Sequence, residues 1–400
     1  MNQSESERLA SALSKLGYKE APSAESADIV FINSCVVREH AENKVVNKLH
    51  ALRGLKRKNP EAVITLTGCM VDANTTGLKK KFPHVDHFLK PGEYPYFLPE
   101  VAERLPDKPA VSTYVPIIQG CDNFCSYCIV PYRRGREKSR AVSEISCEVR
   151  ELVKRGTKEV ILLGKNVDSY GHDLPGKPDL ADLLVELDKI DGLVCIRFLT
   201  NHPKDMSLKL VETMAKLDKV CKQLSLPVQA GSNKILEAMR RGYTAEDYRK
   251  LVETLRSYIP DISLSTDVIV GFPGETEEDF SETVKLLSDV RFDQVHVAAY
   301  SPRSGTLAAK ELIDDIASEV KKARLQQIET MQGNIATEIN AGLSGKTLPV
   351  LVEDKKGNRY FGRTESDKLV FFPSKKDIIG ELVNAKITRT SPWSLVGEIV

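Results

Sequence analysis

The sequence predicts an α/β protein in three regions: a Rossmann-like parallel-sheet domain, a partial TIM-like (β/α)6 barrel and a small all-β barrel. Three observations predict it. Two apolar runs, ADIVFINSC and AVITLTGC, flank a helical stretch near the start. Six strand-like runs then alternate with amphipathic helical patterns. Five short β-like runs, punctuated by Gly, Asn, Asp and Pro, close the chain.

A chain of 400 residues exceeds one ordinary core, so several domains are expected, spanning residues 1–105, 106–335 and 336–400. Hydrophobic content of 41% with 28% charge fits a globular, soluble protein. No apolar run reaches the roughly 18 residues a membrane span needs. The opening MNQSESERLA lacks the basic and apolar segments of a signal peptide. A cytoplasmic setting is therefore expected, where thiols stay reduced, and the eight cysteines are read as ligands or core packing rather than disulfides. A net charge of +1 excludes polyanion binding by bulk charge, so any nucleic-acid face must be a local patch.

In the first region, the strand ADIVFINSC ends at Cys35. Ala41, Val45, Leu49 and Leu52 then recur at helical spacing, and the pattern ends before Pro60. The second strand, AVITLTGC, ends at Cys69. Strand, helix and strand make a parallel βαβ unit, whose carboxyl ends share the usual ligand edge of open α/β folds. Cys35 and Cys69 are thus expected to be neighbours; the alternative is two small residues in strand-end turns.

In the second region, TYVPIIQG, KEVILLG, LVCIRFLT, QLSLPVQ, ISLSTDVIVG and DQVHVAAY read as strands. Helical patterns such as SEISCEVRELVKRG and EDYRKLVETLRSYI separate them. Nearly every strand ends in polar or Gly-rich residues, at the end where such barrels carry chemistry. After the first strand comes CDNFCSYC, which places Cys121, Cys125 and Cys128 in one loop with spacing C-x3-C-x2-C. A structural zinc wants four closed ligands, and a disulfide wants two. A [4Fe-4S] cube held at three corners leaves one iron open to a ligand, and such clusters are held by thiolates. A zinc site with a distant fourth ligand is the alternative.

The third region reads as a small all-β barrel from TLPVLVED, RYFGR, KLVFF, ELVNAKITR and SLVGEIV, joined by the helix IASEVKKARLQQIETMQGNIATEI. Trp393 is read as a barrel-core or base-stacking residue. Cys147, Cys195 and Cys221 are read as core, and His202 as part of a capped turn before Pro203. Basic runs lie at Lys44–Lys58, at Arg133, Arg134, Arg136, Lys138 and Arg140, and at Lys355, Lys356, Arg359 and Arg363. Such runs are ordinarily solvated faces; here two flank candidate cluster sites and one lies on a small barrel of the kind that grips RNA.

C-x3-C-x2-C with the aromatic Tyr127 before its last cysteine resembles the radical S-adenosylmethionine superfamily. INSC with VREHAENKV, LTGCM, IIQGCDNFCSYCIVPYRRGREKSR, LLGKNVDSYG, LPVQAGSNKIL and DVIVGFPGETEEDF together resemble its methylthiotransferases along nearly the whole chain. GRTESDKLVFF is similar to the RNA-binding TRAM barrel of this family. The resemblance implies an enzyme that adds a methylthio group to carbon 2 of N6-isopentenyladenosine next to a tRNA anticodon. Its nearest alternatives are the threonylcarbamoyladenosine branch and a single-cluster RNA-binding protein without sulfur insertion. The implied cofactors are S-adenosylmethionine and two [4Fe-4S] clusters. The implied partners are a tRNA with an isopentenylated adenine and an electron donor such as flavodoxin or ferredoxin, for a monomer with no membrane contact. Cys121, Cys125 and Cys128 would hold the first cluster. Cys35 and Cys69 would hold the auxiliary one. The family's third auxiliary cysteine, in a first strand that is missing here, would fall about two residues before Met1, with Asn2 in the place of the family's Asn; a truncated or misassigned start is the expectation, the alternative is a chain that has lost sulfur insertion, and the two thiolates present would hold the auxiliary cluster poorly unless another ligand helps. Cofactor contacts are implied for Tyr127, Gly164, Asn166, Gln229, Gly271 and Glu275, with Lys165 departing from a common Gln, and RNA contacts for Lys355, Lys356, Arg359 and Arg363.

Overall fold

The computed structural model describes residues 1–36, 39–72, 74–95, 98, 105–106 and 108–400. Val37 and Arg38 of the VREHAENKV segment lie outside the described residues, as do residues 99–104 and 107 around the expected first boundary. The chain forms two compact units: Met1–Asp107, Gln119–Glu137 and Arg303–Thr306 in the first, the remainder in the second.

The first unit is built on a parallel three-stranded sheet in the order β1 (Ile29–Ser34), β2 (Val63–Gly68), β3 (His87–Leu89). Leu49, Leu52, Ile64, Leu66 and Phe82 form its dry centre, because both apolar runs place their side chains between the sheet and the connecting helix α2 (Glu39–Ala51). The N-terminal segment is the helix α1 (Asn2–Lys15), and its Leu9 and Ala12 pack with Phe31 of β1. The register pairs Ser34 with Gly68, so the residues that follow them, Cys35 and Cys69, leave the same edge of the sheet. The cysteine loop Gln119–Glu137 also belongs to this unit by its contacts, although in sequence it interrupts the second.

The second unit contains six parallel strands: β4 (Ser112–Pro116), β5 (Glu159–Leu163) and β6 (Cys195–Leu199) in one sheet, β7 (Gln223–Ser225), β8 (Ser263–Val270) and β9 (Gln294–Ala299) in another. A parallel bridge between Ile196 and Val220 and the Asn201 N–H to Ser225 carbonyl bond join the two. This is the six-strand partial barrel expected from the alternating patterns. Its helices carry strong start signals: Thr244 with Asp247, and Thr276 with Asp279, make reciprocal capping boxes.

A closed five-stranded barrel follows: β10 (Thr347–Lys356), β11 (Arg359–Thr364), β12 (Leu369–Pro373), β13 (Leu382–Thr390) and β14 (Leu395–Ile399), in the order β10-β11-β12-β14-β13. Val350, Val352, Val370, Phe372, Ala385 and Leu395 fill it. It is tied to the amino ends of the parallel strands through Arg197. That guanidinium is 3% exposed; it donates to Glu159 Oε2 at 2.9 Å and to the Thr364 and Glu365 carbonyls at 2.6 and 3.2 Å. Lys368 adds an ion pair to Asp293 at 2.6 Å.

Candidate metal and cofactor site

The loop carrying Cys121, Cys125 and Cys128 is held by its own polar groups. The Cys121 N–H donates to the Gly135 carbonyl at 3.2 Å and the Cys128 N–H to the Cys125 carbonyl at 3.0 Å. Asp122 accepts from the Glu137 N–H and pairs with Arg136, while Glu137 accepts from the Asp122 N–H. Phe124 sits in the left-handed region at φ 46° and packs edge-on against Tyr132; a non-glycine residue there is uncommon and marks a constrained turn. Cys121 and Cys125 are buried and Cys128 is half-buried. Burial pushes the Cys121 thiol up to about 12, and the neighbouring Cys128, Glu137 and Cys125 add to that. Thiolates crowded in this way need a compensating positive group.

A single zinc would draw the three sulfurs closer together than they stand here. With Zn–S bonds of about 2.3 Å, two sulfurs on one ion lie no more than about 4.6 Å apart. Among the described residues the only three Cys, His, Asp or Glu ligand atoms within 4.8 Å of one another belong to Glu159, Cys195 and Cys221. Cys121, Cys125 and Cys128 do not form such a close trio. At Glu159, Cys195 and Cys221 the cation is already present, because the Arg197 guanidinium pairs with Glu159 there.

At the sheet edge of the same unit, Cys69 is buried and Cys35 half-buried. The Cys69 N–H donates to the Ser34 carbonyl at 3.0 Å, and the Ser34 hydroxyl bridges the Thr67 carbonyl and the Met70 N–H. Arg134, at the end of the short helix Val130–Arg134 that follows the cysteine loop, reaches this edge. Its Nε donates to Cys69 Sγ at 3.2 Å, Nη1 to Glu5 at 2.9 Å and Nη2 to Asn2 Oδ1 at 2.7 Å. Asn2 in turn donates to the Ser34 carbonyl at 2.8 Å. A cavity of about 300 Å³ opens in the same unit, and no cysteine among the described residues lines it. Val36, Met70 and Ile129, the residues that follow Cys35, Cys69 and Cys128, all line it, with Asp72, Arg133 and Arg303.

In the second unit, the expected cofactor residues lie at strand ends. Gly164 follows β5, and a Cβ there would meet Ile118 Cγ2 at 2.5 Å, so close packing already requires glycine. Asn166 donates to Asp205 Oδ2 at 2.6 Å, and its buried Oδ1 has no partner among the described residues. Gln229 lies four residues past β7, with φ 72° and an isolated parallel bridge to Val268. Gly271 has φ +68° and its N–H donates to Glu275 Oε2 at 2.6 Å. Glu275 is buried and its carboxylate is also engaged by Arg324 at 2.7 Å, so it locks the GFPGE turn from within. Tyr127 is half-buried within the cysteine loop of the first unit.

Asp168, Asn201 and His202 were not singled out together by sequence, although GKNVDSYG and TNHP contain them. The structure joins them: Asp168 accepts from Asn201 Nδ2 at 2.5 Å and from the His202 N–H at 2.8 Å. The Lys204 N–H donates to His202 Nδ1, which places the ring proton on Nε2. That Nε2 is buried and has no partner among the described residues.

Other readings change. In the second basic run Arg134 is buried on Glu5, Arg133 and Arg140 are half-buried and paired with Asp72 and with Glu144 and Glu148, and Arg136 and Lys138 are exposed. Cys147 is exposed rather than core, because α-helical Val142–Lys154 buries Ile145, Val149 and Leu152 on another face. Trp393 is 57% exposed, outside the barrel core. Lys355, Lys356 and Arg359 are exposed around the β10–β11 turn, whereas Arg363 is held by Glu353 and Asp367.

Comparison with known proteins places these features. Residues 115–287 match the radical SAM superfamily, residues 1–90 the uncharacterized protein family UPF0004, and residues 343–400 the TRAM domain. A tRNA-2-methylthio-N(6)-dimethylallyladenosine synthase of Dehalococcoides mccartyi is 56% identical over 402 residues, covering 100% of this chain and 96% of that protein. One from Herpetosiphon aurantiacus is 47% identical over 416 residues, covering 100% and 95%. The fold of the radical S-adenosylmethionine methyltransferase TsrM from Kitasatospora setae is similar at a TM-score of 0.53, with 14% identity over 70% of this chain and 65% of that one. No described helix is long and apolar enough to cross a membrane. On full-length identity and on all three matched domains, the chain belongs to the tRNA-2-methylthio-N(6)-dimethylallyladenosine synthase family of radical SAM enzymes.

Proposed function

We propose that this chain adds a methylthio group to carbon 2 of N6-isopentenyladenosine beside a tRNA anticodon. Full-length identity to enzymes bearing that name supports the reaction. The single geometric observation that carries it is that the cysteine loop Gln119–Glu137 packs in the same unit as the sheet edge bearing Cys35 and Cys69. Sulfur insertion needs a sulfur source and a radical source within reach of one carbon. Both groups of thiols lie in a single unit, and Arg134, on the helix after the cysteine loop, donates to Cys69 Sγ.

Cys121, Cys125 and Cys128 are the ligands of the radical SAM cluster, and Cys35 and Cys69 supply thiolates to the auxiliary one. When bound, a [4Fe-4S] cluster with S-adenosylmethionine supplies a deoxyadenosyl radical, and the auxiliary cluster supplies the sulfur. The chain's own task is placement and the exclusion of water. The hydrogen bonds among Cys121, Asp122, Gly135 and Glu137 fix the loop. The orphaned Asn166 Oδ1 is an acceptor suited to the ammonium group of the methionyl moiety. Gly164, Gln229, Gly271 and Tyr127 shape the cofactor's surroundings, with Glu275 holding the Gly271 turn. Lys355, Lys356 and Arg359 bind tRNA phosphates, and the open anticodon loop lets the target adenine be splayed out. A low-potential protein such as flavodoxin or ferredoxin delivers the electron to a monomer working in the cytoplasm.

Two measurements test this. Anaerobic reconstitution of the chain should bind about eight irons for two cubes, and about four would leave one. Nucleoside mass spectrometry of tRNA from a strain lacking the gene should show loss of the 2-methylthio group and accumulation of N6-isopentenyladenosine. Unchanged nucleosides would defeat the reading, and a loss confined to methylthiolated threonylcarbamoyladenosine would move the substrate to that branch.

A further inference from the structure

Arg134 is an unusual arginine. Its side chain is wholly shielded from solvent, yet its three nitrogens reach two different segments: Nε to Cys69 Sγ at 3.2 Å after β2, and Nη1 to Glu5 and Nη2 to Asn2, both in α1. Asn33 closes the ring by donating to the Asn2 carbonyl at 3.0 Å and to the other Glu5 oxygen at 3.2 Å. Arg134 also lies six residues beyond Cys128, on the helix that the cysteine loop runs into. One planar cation therefore touches a thiol of one group and is rigidly continuous with the other.

Burying a guanidinium is costly unless it is paired and fully bonded. Glu5 supplies the charge, and the buried Nε–H takes a cysteine sulfur rather than an oxygen as its acceptor. An N–H directed at a cluster-bound thiolate stabilises the more negative, reduced state and raises the reduction potential. The fork geometry of arginine also lets it orient the sulfur while remaining anchored at two other points.

We propose that Arg134 is a positioning residue for the auxiliary centre: it orients the Cys69 thiolate and sets the potential of the cluster bound there. The inference rests on the assignment of Cys69 as a ligand made above, and it adds the control of that ligand by a residue from the radical SAM loop.

The test uses the full-length chain carrying Cys121→Ala, Cys125→Ala and Cys128→Ala, reconstituted anaerobically with iron and sulfide, so that only the second centre remains. Iron per chain, the low-temperature paramagnetic signal and the midpoint potential are read for this parent, Arg134→Gln and Arg134→Lys. Arg134→Gln should shift the midpoint to more negative values, and Arg134→Lys, which keeps the charge but not the fork, should restore part of it. Iron lost from the Gln variant but retained by the Lys variant, with both melting like the parent, also supports the assignment. An unchanged midpoint with iron intact overturns it, as does loss of iron accompanied by loss of folding in both variants. A parent that takes up no iron overturns the assignment of a second centre to the two thiolates Cys35 and Cys69, a result distinct from failure of the Arg134 role.

Discussion

Asp168 and His202 touch one another, and burial drives them in opposite directions. Burial raises the Asp168 carboxyl to about 7, with Asp205 adding to the shift and the His202 N–H and Asn201 amide opposing it. Burial also lowers the His202 imidazole to about 2, helped by the charges of Arg241 and Lys204. A raised carboxyl contributes stability that is full below its unfolded value near 4 and is lost as pH rises through about 7. A depressed histidine contributes stability present above about 6.5, and lost as pH falls through about 2. Each slope is about 1.4 kcal/mol per pH unit, and between about pH 4 and 6.5 they have opposite sign and cancel. Asp168→Asn removes one of them. The difference in unfolding free energy between the variant and the parent should then grow more favourable to the variant as pH rises, by about 3 kcal/mol across that window. His202→Gln should tilt the difference the other way by a similar amount. Urea denaturation followed by far-ultraviolet circular dichroism at fixed ionic strength reads both. A difference independent of pH in Asp168→Asn would refute the claim that this carboxyl is protonated in the folded chain.

Three further outcomes follow from the same physics. Arg197→Met leaves Glu159 buried without its cation, and should lower stability by about 3–5 kcal/mol, read as a fall in melting temperature; combining it with Glu159→Leu should recover most of the loss. Gly271→Ala forces a Cβ to within 2.3 Å of Lys321 Cγ at φ +68°, so it should cost about 1–3 kcal/mol by chemical denaturation and weaken cofactor binding by equilibrium dialysis. Replacing Lys355, Lys356 and Arg359 together by Gln should weaken tRNA binding for all sequences alike and reduce the salt slope by about 2–3, measured by filter binding across a salt series.

The architecture was legible because its signals are local. The apolar runs ending at Cys35 and Cys69 specify buried parallel strands, and strand register alone then brings the two thiols to one edge. Six strand runs and five short ones likewise fixed the two barrels. The wiring was not legible, because it depends on partners far apart in sequence. Arg134 meets Glu5 across 129 residues and Cys69 across 65, and nothing in YRRGR distinguishes the interior arginines from a solvated basic patch. The same holds for Glu275: its place in GFPGE reads as a ligand contact, and only the fold shows Arg324 and the Gly271 N–H consuming its carboxylate. Cys147 was misread because a single cysteine carries no phase; the stripe of Ile145, Val149 and Leu152 decides which face is buried.

The grouping of the cysteine loop with the first unit has a chemical consequence. Val36, Met70 and Ile129 belong to one hydrophobic core as well as to one cavity wall. Each is bonded directly to a cysteine of one of the two groups. The distance between the groups is therefore set by close packing inside that unit, together with the Arg133–Asp72 and Arg134–Glu5 pairs that strap the loop to the sheet and to α1. Packed cores resist displacement at the scale of a single methylene. A reaction that moves sulfur from one centre to a carbon activated by the other tolerates little variation in their spacing. Housing both groups of thiols in one unit, rather than distributing them between units, supplies that fixed spacing from packing and ion pairs together.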